Sequence, residues 1–174
     1  MSVTRRIEIV ETSAGVHVLD ETGRPIGAAD YAAIFELLKR AQQDDRARVA
    51  TEAARALTWH SVDSWRDYQH ITECVYLMYP TYSASIRNLP PPLAAAWPRV
   101  LKVGFTRQPL NARRKRLSIE YGSLTVLAYA LTDDVIAAER GLHELLKDHH
   151  INGEWFNLDA AWDFLCQNFE WVKP

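Results

Sequence analysis

Two stretches hold residue types that could do chemistry together. In "VLKVGFTRQPLNARRKRL", Val100 to Leu117, a buried-looking run reaches Gly104 and a burst of positive charge follows. In "AAERGLHELLKDHHINGEWFNL", Ala137 to Leu158, a glutamate stands inside a helical pattern and an aromatic pair comes after it. On a wheel of about 100° per residue, Val135, Leu142 and Leu146 centre the apolar face. Glu139 falls beside them, between Leu146 and Ile136, with His143 one turn on. A carboxylate there is costly unless it is paired, solvated in a cleft or bound to a metal. The bland alternative is a glutamate at the stripe's edge, reaching out to water. Clustered arginines near such a carboxylate point to phosphodiester cleavage, with nucleic-acid binding without cleavage as the alternative.

Arg99, Lys102, Arg107, Arg113, Arg114, Lys115 and Arg116 form a block without one acid, on a chain whose net charge is −2. A basic block on a nearly neutral protein suggests a local anionic partner rather than a general coat. A solvated helix face is the other reading. Competing chemistries find little support. His149 and His150 are adjacent and point to different faces of a helix, so with His143 they do not make a zinc site. There is no Walker-type loop, GxSxG elbow or HExxH, and 7 glycines are too few for a glycine-rich phosphate cradle. Cys74 and Cys166 form no CxxC pair and read as core residues.

These groups need elements to position them. "RIEIVE" and "VHVLD" alternate in polarity around "TSAG" and predict a hairpin. Asp30 can cap a helix carrying Tyr31, Ile34, Phe35, Leu38 and Ala41. "QQDD" interrupts that stripe, and "RARVATEAARAL" resumes a helix. "HSVDSWRDYQHI" predicts a short third helix. Its aromatic neighbours Trp59, His60, Trp65 and His70 could touch bases, but packing is the commoner fate of such residues. "CVYLMY", "RVLKVGF" and "SLTVLAYAL" are strands by β-propensity. Three consecutive prolines make residues 80–98 a loop or insertion. "LNARRKRLSIEY" is a helix. "DDVIAAERGLHELLKDHH" is another, started by Asp133 or Asp134, with Gly153 past its end. "EWFNL" is a short extended piece, and "DAAWDFLCQNF" closes as a helix.

The order strand "CVYLMY", strand "LKVGFT", arginine-bearing helix, strand "LTVLAYAL", helix "AERGLHELL", then "GEWFNL" resembles the GIY-YIG nuclease superfamily. It is most similar to the branch with a KIG-type second motif and a GEWF motif, over about residues 73–165. The resemblance implies an α+β fold, with a small three-stranded antiparallel sheet flanked by helices. It implies a metal-dependent endonuclease acting on DNA, with Mg²⁺ or Mn²⁺ held by Glu139 and water. Tyr76 takes the tyrosine position, with Tyr79 and Tyr82 close by. Its phenolate, with a lowered pKa, would act as general base. Lys102 replaces the second tyrosine, and Gly104 would let the backbone approach the scissile phosphate. Arg113 would clamp the phosphate, with Arg114 and Arg116 as alternates. Asn157 matches a late asparagine. Arg107, Arg114, Lys115 and Arg116 would hold the strand without reading its sequence.

The 174 residues, 48% hydrophobic and 24% charged, suffice for a domain with an appendage. The expected division is an N-terminal α+β appendage over 1–72, comprising the hairpin and helices, and a nuclease-like domain over 73–174 with a Pro-rich insertion at about 80–98. The acidic 1–72 region could engage a protein partner. A protein-interaction or inactive nucleic-acid-binding module is therefore the alternative function. No apolar run reaches the roughly 18–20 residues of a membrane span, and "MSVTRRIEIV" lacks a signal peptide's apolar block. The expectation is a cytoplasmic protein without a membrane partner.

Overall fold

The computed structural model describes residues 8–12, 15–19, 22–25, 28–81 and 89–173. The chain divides into two compact units, Met1–Asp45 and Arg46–Pro174. In the first unit, β1 (Glu8–Thr12) and β2 (Gly15–Leu19) pair antiparallel, the hairpin read from the sequence. α1 runs unbroken from Ala28 to Arg55 and so continues into the second unit. Asp30 therefore lies inside the helix rather than capping it. "QQDD" does not interrupt the helix either, because residues 42–45 are exposed and need no apolar face.

The second unit is built on a seven-stranded mixed sheet of order β7-β8-β5-β4-β6-β3-β9. Its centre is the antiparallel trio expected: β4 (Cys74–Pro80) between β5 (Val100–Thr106) and β6 (Leu124–Leu131). Four short strands enlarge it beyond the three anticipated. β3 (Thr58–Ser61) pairs with β6, and β9 (Glu170–Val172) lies parallel to β3. On the other edge, β8 (Trp155–Asn157) pairs with β5 and β7 (His150–Asn152) with β8. β3 and a 3-10 turn over Trp65–Asp67 replace the expected third helix. The 80–98 segment also differs. α2 (Pro91–Ala96) begins on its own prolines, which suit a first helical turn because their missing N–H groups would be unpaired there. Tyr82 and residues 83–88 lie outside the described residues.

Both faces of the sheet are covered. One face packs Val75, Leu77, Leu101 and Val103 against the C-terminal part of α1, α4 (Val135–Leu145) and α5 (Leu158–Asn168). The other packs Cys74, Tyr76, Met78 and Val100 against α2 and α3 (Leu110–Tyr121). This double burial explains why β4 and β5 read as near-continuous apolar runs. Cys74 is buried as expected, but Cys166 is exposed on α5.

Candidate nucleic-acid interface at the edge of the central sheet

Strand register places three of the expected residues on one face. Tyr76 stands opposite Gly104, and Met78 opposite Lys102. A Cβ at Gly104 would lie 2.6 Å from the Tyr76 hydroxyl. The absent side chain thus makes room for the phenol, a local reason for the glycine that the sequence did not suggest. α3 lies over this face. It is launched by a turn in which Gln108 N donates to Thr106 Oγ1 (3.1 Å), and it is anchored by Leu110 N donating to Ile71 O (2.8 Å). From its first turn, Arg113 Nε donates to the Tyr76 hydroxyl at 3.1 Å.

Tyr76 is fully buried, and desolvation pushes its pKa up to about 12 even though Arg113 pulls the other way. The lowered pKa expected of a phenolate base is therefore not found. Burial without water outweighs one neighbouring guanidinium.

Glu139 comes from the opposite face, on α4; it lines neither of the cavities described below, and Lys102, Arg113 and Glu154 act on its carboxylate only through their charges. β8 pairs with β5 only from Val100 to Lys102. The last β8-side hydrogen bond runs from Val103 N to Glu154 O (3.0 Å), and His143 Nε2 lies 3.4 Å from Val103 O. The Glu139 carboxylate is 16% exposed, and His143 Nε2 lies 3.7 Å from it. Desolvation raises the Glu139 pKa, Glu154 adds to the rise, and Lys102, Arg140 and Arg113 oppose it. Desolvation lowers the His143 pKa, and its hydrogen bond with the Val103 backbone opposes that.

Glu154 is the residue the sequence reading missed. Gly153 and Glu154 form the two-residue turn between β7 and β8, with Gly153 at a φ of 56°, a backbone region that glycine enters without strain. The turn delivers the Glu154 carboxylate onto the buried Lys102 ammonium in a short ion pair. That ammonium also lies over the rings of Trp155 and Tyr121, at 5.1 and 5.8 Å.

Two adjoining cavities open here. One, of about 230 Å³, is lined by residues including Thr106, Arg107, Gln108, Arg113, Arg116 and Glu154. The other, of about 370 Å³, shares Arg113, Arg116 and Glu154 and adds Lys102, Tyr121 and Trp155. The remaining expected residues go elsewhere. Arg114 turns inward, donating to Leu124 O (3.3 Å) and Asn111 Oδ1 (3.4 Å). Arg99 pairs with Asp159 at 2.5 Å. Lys115 is exposed on α3 and lines neither cavity. Asn157 caps α5, its Oδ1 accepting from Ala160 N (3.0 Å), and also lines neither cavity. Among the described residues no group of three or more His, Cys, Asp or Glu could hold a metal ion. No helix among them is long and apolar enough to cross a membrane.

An α+β unit with a cationic pocket at its sheet edge is the class of protein this geometry defines. The model of the family described as the T5orf172 domain matches residues 73–173, and the chain belongs to that family. This match corrects the resemblance to the GIY-YIG superfamily, since the family found is a distinct one. No curated protein and no solved structure matches the chain.

Proposed function

We propose that the paired cavities hold the backbone of a nucleic acid, and that the site cleaves a phosphodiester bond in DNA. One observation carries the reading: Arg113 and Arg116 line both cavities, with Arg107 at one end and Lys102 at the other. Membership of the T5orf172 family is consistent with a nucleic-acid partner. A guanidinium can grip two phosphate oxygens at once. Because the Arg113 Nε is engaged by Tyr76, its orientation is held before substrate arrives. Lys102 fixes the Glu154 carboxylate at the floor.

One half-buried carboxylate, with a second acting on it, suits Mg²⁺ or Mn²⁺, which bind through one or two carboxylates plus phosphate and water. It does not suit a zinc centre, which wants three or four nitrogen and sulfur ligands. Glu139, whose carboxylate feels the charge of Glu154, would hold the ion. When bound, such an ion supplies positive charge to the phosphate and the leaving oxygen.

A second reading, binding without cleavage, is favoured by Tyr76. Its proton is held by burial, so no phenolate stands ready at neutral pH. Incubating labelled DNA and RNA with Mg²⁺, Mn²⁺ or EDTA separates the two. The cleavage reading expects metal-dependent products that fall at least about a hundredfold in Glu139→Gln, as for loss of a principal electrostatic stabiliser. Metal-independent cutting, or a Glu139→Gln variant at wild-type rate, would remove Glu139 from the chemistry. Binding that weakens with salt but yields no products would leave the second reading standing.

A further inference from the structure

The two cavities have different walls. The smaller is lined by Arg107, Thr106 and Gln108 beside the shared arginines, with Phe105 as its one aromatic residue. A phosphate needs nothing more. The larger has an apolar and aromatic side made by Leu93, Leu117, Tyr121 and Trp155. Asn152 and Glu120 add an amide and a carboxylate to the same lining. Its floor cation, Lys102, is already paired with Glu154, so that part of the wall is close to neutral. Aromatic walls, a neutralised floor and a few hydrogen-bonding groups suit a flat heterocycle with a polar edge better than an anion. At about 370 Å³ the space falls within the range of small-ligand sites.

We infer that the larger cavity is a nucleoside pocket that takes one unstacked nucleotide, so the substrate is single-stranded or locally unpaired. The inference rests on the nucleic-acid reading above and names the substrate form for the same site. The shared residues Arg113 and Arg116 lie between the two cavities, where the phosphate that links the captured nucleotide to the chain would pass. Tyr121 is the half-buried ring at the pocket, packed edge-on against Trp155 with centroids 5.1 Å apart. Trp155 is too deeply buried to serve as a platform and acts as the wall behind it. Asn152 and Glu120 can meet donors and acceptors on a base edge. In a duplex those edges are paired and the ring faces are stacked. Only a nucleotide outside the helix can enter, and a duplex must give up stacking to supply one.

The test is equilibrium binding by the full chain in EDTA, so that cleavage plays no part. The probes are a labelled single strand, its blunt duplex, and the duplex with one unpaired nucleotide. The single strand and the bulged duplex should bind tighter than the blunt duplex. Tyr121→Ala should lower single-strand affinity by roughly tenfold, the worth of one base–aromatic stack, and the preference over duplex should collapse toward one. Tyr121→Phe, which keeps the ring, should retain the preference. Tyr121→Leu, which keeps the packing without a π face, should lose it, separating stacking from instability. A blunt duplex that binds as tightly as the single strand would overturn the pocket. So would a Tyr121→Leu variant with wild-type preference. Arg116→Ala should weaken binding to all three probes. If no probe binds, or Arg116→Ala changes nothing, the nucleic-acid reading fails rather than the pocket alone.

Discussion

Tyr76 holds Arg113 in place from a fully buried position on the central strand. Its ring occupies the space left by Gly104, and its hydroxyl accepts from Arg113 Nε. With its pKa pushed up to about 12, the phenol keeps its proton at neutral pH. We expect Tyr76→Phe to lower cleavage about tenfold by loosening Arg113, the worth of one hydrogen bond to a charged group. The pH–rate profile below about pH 10 should keep its shape. A profile that loses an alkaline-rising limb would restore the tyrosine as a base. The same variant has a stability signature. A phenol whose folded pKa exceeds the unfolded one stabilises the native state fully below the unfolded pKa of about 10. That contribution is lost as pH rises through about 12. Melting temperatures should therefore show the wild type losing ground to Tyr76→Phe between those values. At this scale the sequence was partly legible. Glu139 stood out because a carboxylate on an apolar face is expensive. Glu154 did not, because a polar residue after a glycine is ordinary, and its partner Lys102 lies 52 residues away.

Elements explain where other expected residues went. Asn157 closes β8 and caps α5 in one step, so its side chain is engaged by the helix. Asn157→Ala should cost roughly 1 kcal/mol of stability, as for other caps, with nucleic-acid affinity unchanged. A large loss of affinity at unchanged melting temperature would return Asn157 to the site. Arg114 is likewise held by the start of β6. The strands legible in advance, β4, β5 and β6, carry their own signal because burial on both faces demands long apolar runs. β3 and β9 carry little. "TWHS" and "EWV" are short, and they become strands only by pairing with each other and with β6. α2 is hard to read in the sequence because prolines, which break a helix interior, can also open a helix.

For the whole molecule, the site depends on helices held close behind it. Gly141 in α4 faces Ala50 in α1, and a Cβ there would stand 1.9 Å from the Ala50 carbonyl oxygen. Gly141→Ala should cost about 1–3 kcal/mol, the usual range for overpacking. It should also weaken the proposed metal-dependent cleavage, because Glu139 lies two residues away on the same helix. Unchanged melting and activity would mean that the helices can part at no cost. The indole rings carry a different consequence, an optical one. Trp59 and Trp171 stack at 5.9 Å with 22° between planes, and Trp162 meets Trp171 at 5.0 Å, on the α4–α5 side of the sheet. Trp97 and Trp155 meet at 5.3 Å on the α3 side, where Trp155 walls the larger cavity. Each face thus carries its own coupled chromophores. A ligand entering the cavity should perturb the emission of the Trp97–Trp155 pair. The near-ultraviolet dichroism of the Trp59–Trp171 stack should stay constant until the chain unfolds. Removing Trp97 or Trp171 singly would assign the two signals, so one sample could report occupancy and folding in separate channels.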